Sequence, residues 1–231
     1  MRKPTQLTVF ASCTCLLLVG CGGRYASIAP EGLEPGETET VRAWVDEFIP
    51  STSRIYTVRP WRYQNEQGAA AGRAVIRIAP PDSLRFDYRG PFGRSGRAAV
   101  VGDSVLWVSD DDFEGLVQMS PIFWTALGMP PEPPSGGNIF VLENSNVRAW
   151  RYVVAGDTLN FVLEGNPAIR IRGEIRRAGR TIGLVDVEMN PETGWAVRSQ
   201  VDFPQSVARF EFTIEGVDTL AVFDPSVWQQ N

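Results

Sequence analysis

From Ser53 almost to the C-terminus, apolar and polar residues alternate with a period of two, and short stretches rich in Gly, Pro, Asp and Asn separate the runs. No other feature of the chain limits its fold as strongly. Period two sends successive side chains to opposite faces of a strand, and short turns force neighbouring strands to pair antiparallel. The alternation predicts strands at about 53–65, 70–79, 83–90, 96–102 and 104–109. They resume at about 146–155, 158–164, 168–178, 181–190, 195–203, 206–215 and 218–224. Gly102-Asp103, Gly156-Asp157, Gly179-Arg180, Pro191 to Gly194, Pro204-Gln205 and Gly216-Val217-Asp218 supply the turn chemistry. In the later runs Phe210, Phe212 and Ile214 oppose Arg209, Glu211 and Thr213, while Ile169 and Ile171 oppose Arg170 and Arg172. A meander of about eleven strands curls rather than staying flat. No linker divides it, so one curved, mainly β (α+β) domain is expected.

Two segments depart from this period. Val41, Trp44, Val45, Phe48 and Ile49 recur at helical spacing, with Glu37 and Glu39 placed for the first turn and Pro50 as a stop, which predicts an amphipathic helix. Residues 110–145 interrupt the meander, and within them Ser120-Pro121 and Gly128 bracket a short helix. Ser120 is the expected N-cap. That helix (Ile122, Phe123, Trp124, Ala126, Leu127) is apolar nearly all round, so it must be covered on several sides. In a curved sheet its place is the concave face, as a plug or lid. The stiff run Met129 to Pro134 and the looser Ser135-Gly136-Gly137 after it suit an element that shifts.

The first residues carry a different signal. Met1-Arg2-Lys3 precedes an apolar run from Leu7 to Val19, of secretory length and too short for a comfortable membrane span. Leu18-Val19-Gly20-Cys21 follows the pattern of a bacterial lipobox, in which the cysteine is acylated and becomes the first mature residue. This gives a leader at 1–20, a lipidated Cys21 with a Gly/Pro/Glu-rich flexible tether at 21–36, and a domain at 37–231. Each buried methylene contributes about 0.8 kcal/mol, so two or three acyl chains anchor a protein durably. Gly22, in place of an Asp, leans towards the periplasmic face of the outer membrane.

Composition then closes most chemistry. There is no histidine, and the only lysine, Lys3, is in the leader along with Cys13 and Cys15. Histidine-dependent nucleophile systems, Schiff-base lysines and His- or paired-Cys metal sites are excluded. No cofactor is expected. Of the 22 cations Arg2 and Lys3 leave with the leader, so 20 arginines face 27 acidic residues. Nucleic acid is a poor partner for such a chain. Asp110-Asp111-Asp112 with Glu114 lacks the spacing of a calcium loop and reads as a solvated turn. Paired carboxylates would suffice for glycoside hydrolysis, but nothing in the spacing brings two together.

Ala79-Pro-Pro-Asp-Ser-Leu-Arg-Phe-Asp-Tyr-Arg-Gly-Pro-Phe-Gly93 and Gly102-Asp-Ser-Val-Leu-Trp107, behind the acylated Cys21 and the helix ending at Pro50, resemble the outer-membrane lipoprotein carrier and receptor family, with its LolA/LolB-like fold, and related bacterial lipoproteins. The order of elements matches over about 37–224, the motifs over 79–108. The resemblance implies an unclosed antiparallel half-barrel wrapped over helices, with an apolar cavity for acyl chains of lipids or lipoproteins. Another envelope carrier protein is a candidate partner, and with no catalytic constellation in the sequence no enzyme activity is expected. Candidate lining residues are Trp44, Phe86, Tyr88, Trp107, Ile122, Phe123, Trp124, Leu127, Phe161, Phe210 and Phe212. Two alternatives stay open: an assembly lipoprotein whose concavity is filled by its own side chains, and a carboxylate-dependent glycan enzyme.

Overall fold

A computed structural model describes residues 26–102, 104–109, 119–134, 137–220 and 222–230. Cys21, the leader and the Asp110–Glu114 run lie outside the described residues. The strands are β1 (Glu34–Gly36), β2 (Ser53–Asn65), β3 (Gly68–Ala79), β4 (Ser83–Arg89), β5 (Ser95–Val101), β6 (Ser104–Val108), β7 (Ile139–Glu143), β8 (Val147–Val154), β9 (Asp157–Glu164), β10 (Arg170–Arg177), β11 (Arg180–Asn190), β12 (Trp195–Phe203) and β13 (Ala208–Leu220). Among the described residues two α-helices accompany them, α1 (Thr38–Asp46) and α2 (Ser120–Ala126).

All 13 strands form one sheet in the order β1-β7-β8-β9-β10-β11-β12-β13-β2-β3-β4-β5-β6. Every pairing is antiparallel. The edges are β1 and β6, so the sheet is open. Two meanders make it, β2–β6 and β7–β13, and they join where β13 pairs with β2 along ten registered positions from Arg209↔Gln64 to Leu220↔Ser53. Both of these strands have 13 residues and both are bulged, β2 between Val58 and Trp61 and β13 on either side of Ile214. Bulges bend and twist the strand that carries them, so the curl is strongest at the seam. Pro60 sits inside the β2 bulge, where a missing ladder donor costs little.

The sheet is the expected one with three differences. The two runs at 206–215 and 218–224 are one strand, because Gly216 lies within the bulged pairing to β2 and not in a turn. β7 and β1 add a further edge: Gly36, Pro35 and Glu34 pair with Ile139, Phe140 and Val141. The segment read as a tether thus lies against the sheet from Ser27 onward, since the Ser27 hydroxyl and the Ile28 amide both donate to Glu174 of β10. Every element and the whole described core fall within residues 26–230.

Alternation decides which face carries the core. Tyr56 and Val58 of β2, Ile76 and Ile78 of β3, Leu84 and Phe86 of β4, Phe161 of β9, Ile171 of β10 and Val187 of β11 are buried on one face, continuous with α1 and α2. The other face carries arginines and carboxylates in cross-strand pairs, among them Arg170–Asp186, Arg172–Glu164 and Arg209–Asp202.

Candidate functional site: the inner face and its helical plug

α2 shows how far the sheet curls. On one side Ile122 and Met119 lie over Gly183 of β11, and the Ser199 hydroxyl of β12 donates to the Ala126 carbonyl. On the other side the Phe123 ring meets Phe86 of β4 edge-on, with centroids 6.2 Å apart. β11 and β4 are five steps apart in the sheet order, or about 24 Å on a flat sheet. A helix only about 10 Å across touches both, so the sheet wraps round it. Ile122, Phe123, Trp124, Ala126 and Leu127 are all buried, as an all-apolar helix demands.

Its termini correct one expectation. Met119 occupies the N-cap position and no side chain caps the helix. The Ser120 hydroxyl instead donates to the Gly102 carbonyl at the β5–β6 turn, and the Trp124 Nε1–H donates to the same oxygen at 3.0 Å. Pro121 stands in the first turn, and Gly128, at φ +83°, ends the helix as expected. A side chain at Gly128 would press on Met189 of β11.

α1 covers the other part of the inner face. Val41, Trp44 and Val45 are buried, and the Trp44 ring lies 6.2 Å from that of Trp150 on β8. Arg148, on the same face of β8, binds Glu47 with two parallel bonds of 2.6 and 2.8 Å just past the helix end. Trp150 stacks on Phe161 with 5.1 Å between centroids, and Tyr152 lies 6.1 Å from the same ring. Phe161 in turn rests over Gly173 of β10, where a Cβ would come within 3.2 Å of the ring, and the Tyr88 ring covers Gly96 in the same way. These two glycines let large aromatic rings lie along the sheet.

Ten of the eleven candidate lining residues belong to this one buried cluster: Trp44, Phe86, Tyr88, Ile122, Phe123, Trp124, Leu127, Phe161, Phe210 and Phe212. Trp107 does not. A register shift between Ala99 and Val100 pairs it with Ala99, which puts it on the outer face beside Arg85. There the Arg85 guanidinium lies 5.5 Å from its ring centre, and its Nε1–H donates to the Trp228 carbonyl of the C-terminal segment. Ile169 is likewise on the surface, in the turn before β10. Trp61, Trp150 and Tyr152 line the inner face too, and the alternation Trp150-Arg151-Tyr152 carried that signal.

Two polar groups stand apart in this geometry. Trp150 is 1% exposed, and its Nε1–H has no acceptor among the described residues. Glu174, on the outer face, is 0% exposed and the only charged residue among the described ones that is buried. Its carboxylate accepts from Ser27, Ile28, Asn160, Arg176 and Thr181. Burial by itself would raise its pKa, but the hydrogen bonds from Thr181, Ser27 and Arg176, with the Arg176 charge, hold it below the ordinary carboxylate value. No group of three or more His, Cys, Asp or Glu suited to a metal ion occurs among the described residues.

No protein-family model matches the sequence, and no curated protein matches it. Solved structures do. A LolA superfamily protein from Nitrosomonas europaea superposes with TM-score 0.55 at 11% identity, covering 84% of this chain and 98% of that one. A DUF1329 family protein from Desulfovibrio piger gives TM-score 0.51 at 7% identity, covering 83% and 95%. The chain has a LolA-like fold, the architecture implied by the resemblance at 79–108.

Proposed function

We propose that this LolA-like half-barrel is an acyl-anchored, non-enzymatic lipoprotein of the cell envelope. On this reading Cys21 carries the anchor, the domain faces the periplasm from the outer membrane, and the inner face takes acyl chains of lipids or lipoproteins when α2 moves aside. A second envelope carrier protein supplies or removes the cargo. The transfer needs no covalent step: each methylene that leaves water for an apolar surface contributes about 0.8 kcal/mol.

The observation that carries the reading is the unmet indole N–H of Trp150 in an otherwise apolar lining. A buried donor without a partner costs roughly 1–3 kcal/mol, and an ester or carboxyl oxygen at the head of an acyl chain would satisfy it. The closure of α2 fits an element that opens. The helix has only seven residues, it is flanked by the Pro-rich run to Pro134, and its polar links include those to Gly102 and Ser199. Glu174 offers little to a glycosidase, which needs one carboxyl kept protonated; its pKa is lowered.

The test is a Trp150→Phe variant titrated with a fluorescent fatty acid. The reading expects several-fold weaker binding with little change in thermal stability, because the cavity left by the smaller ring offsets the relief of the orphaned donor. Trp124→Phe should act in the opposite direction. It loosens α2 from Gly102, raises the open fraction and so tightens apparent binding. A specific observation favours a second reading, a self-filled core: the candidate residues are already buried against one another. That reading stands if neither the parent nor Trp124→Phe takes up fatty acid and protein purified from cells retains no lipid by mass spectrometry.

A further inference from the structure

At one end of the sheet, four exposed arginines, Arg59, Arg73, Arg89 and Arg94, line a groove of about 750 Å³ between β2, β3 and the β4–β5 turn. Its other lining residues are Pro60, Ala71, Gly72, Gly90, Pro91, Gly93 and Ser95, so it contains no carboxylate.

The register shows why this is unusual. Arg73 and Arg89 are directly opposed across β3 and β4, an arrangement that is destabilising for like charges. Four residues further along each strand, on the same face, Arg77 and Arg85 are also opposed, but Asp87 accepts from both of them. In the other meander Arg170, Arg172, Arg176 and Arg209 on the outer face, and Arg177 at the end of β10, each meet a carboxylate. Among the described residues, none of the four groove arginines has a carboxylate partner. Arg54, Arg62, Arg151 and Arg180 also lack a carboxylate partner among the described residues, but they are scattered over the sheet, whereas the groove gathers four such cations side by side.

We infer that this end of the half-barrel docks on a membrane surface bearing anionic phospholipid, whose phosphates enter the arginine groove. Charge sets the direction. The turns at the opposite end carry Asp82, Glu143 and Glu192, while those at the arginine end set Glu66 and Asp157 against the four groove arginines, Arg177 and Arg180, so an anionic surface favours the arginine end. Exposed apolar residues do not discriminate, since Val153, Val154 and Val207 lie at the arginine end and Ile169 and Val222 elsewhere. The chain path agrees with the charge. Ser27 is bonded to Glu174, three residues short of Arg177 at the arginine end of β10, and Cys21 is six residues earlier. A docked domain therefore keeps Cys21 within reach of the same bilayer. This inference does not depend on the inner face holding a ligand.

The test uses the chain from Ala26 onward, which contains every described element and no acylation site, in co-sedimentation with vesicles. Binding is expected to phosphatidylglycerol mixed with phosphatidylcholine, to weaken as salt rises, and to be absent with phosphatidylcholine alone. Arg73→Gln with Arg89→Gln should reduce binding by roughly twenty- to thirtyfold, since each arginine near such a surface contributes about fivefold. Arg170→Gln with Arg172→Gln removes the same charge from paired sites away from the groove and should leave most of the binding. Equal binding to both vesicle types, a loss as large in the second variant as in the first, or full displacement by millimolar inorganic phosphate would each overturn the inference. The last would make the groove a site for a small anion.

Discussion

The two faces of this sheet are made stable in different ways. On the inner face the buried side chains are mostly aromatic and aliphatic, with a few hydroxyls such as that of Ser199, and charge enters at its margin, where Arg148 clasps Glu47 and Arg54 meets the Tyr56 hydroxyl. The outer face is laced with ion pairs, yet it buries a carboxylate completely. The difference comes from what lies above each face. α1 and α2 bring side chains with no donors to spare, so a charge beneath them would be stranded. The segment around Ser27 brings a hydroxyl and an amide, and with Asn160, Thr181 and Arg176 these complete the shell of Glu174. A buried charge is tolerated where the covering chain is itself polar backbone.

The strongest way to break this comparison is to put a charge under α2. Phe123→Asp should cost on the order of 4 kcal/mol or more and abolish the cooperative thermal transition, since the ring site against Phe86 has no donor to offer. Retention of a native-like melt would mean that α2 leaves the sheet easily. Next in size, Glu174→Ala should cost about 3 kcal/mol, because it strands Arg176 and removes the acceptor shared by Ser27 and Ile28. Faster amide exchange at residues 26–33 would report the release.

The same carboxylate gives a pH test. Its pKa is lowered in the folded protein, so its contribution to stability is complete above the ordinary glutamate value and is lost as pH falls through the folded one. The parent should therefore lose stability in acid more steeply than Glu174→Gln, measured as the denaturant midpoint against pH. Identical slopes would sink the assignment. The smallest effects concern exposed charges on the sheet. Arg73→Gln should stabilise by a few tenths of a kcal/mol by removing cross-strand repulsion. Asp157→Asn, facing a largely exposed Arg177, should change the midpoint by no more than about 0.5 kcal/mol.

How much of this could be read from the sequence follows the range of the signals. β2 and β12 match their expected limits at both ends, because alternation and turn residues are local. α2 was legible as a covered helix because it has no polar face to expose. Trp107 was misplaced by parity: an unbroken β5–β6 register would have put it opposite Ala98 on the inner face, and one bulge moves it to the outer. β7 and β1 went unread because five and three residues are too few to show a period. Glu174 left no trace either, since Ser27, which helps to bury it, is 147 residues away in the chain. The arginine groove is of the same kind, an encounter of three strands and a turn that no single run of residues announces.

The fastening of Ser27 to β10 sets the mechanical freedom of the whole molecule. With an acyl anchor on Cys21, the slack between bilayer and domain is six residues, about 20 Å when fully stretched. A body on so brief a leash cannot shuttle across the periplasm. Under the proposed function it would be a berth at which mobile cargo arrives, and lengthening that leash, not altering the sheet, would be what turns a berth into a ferry.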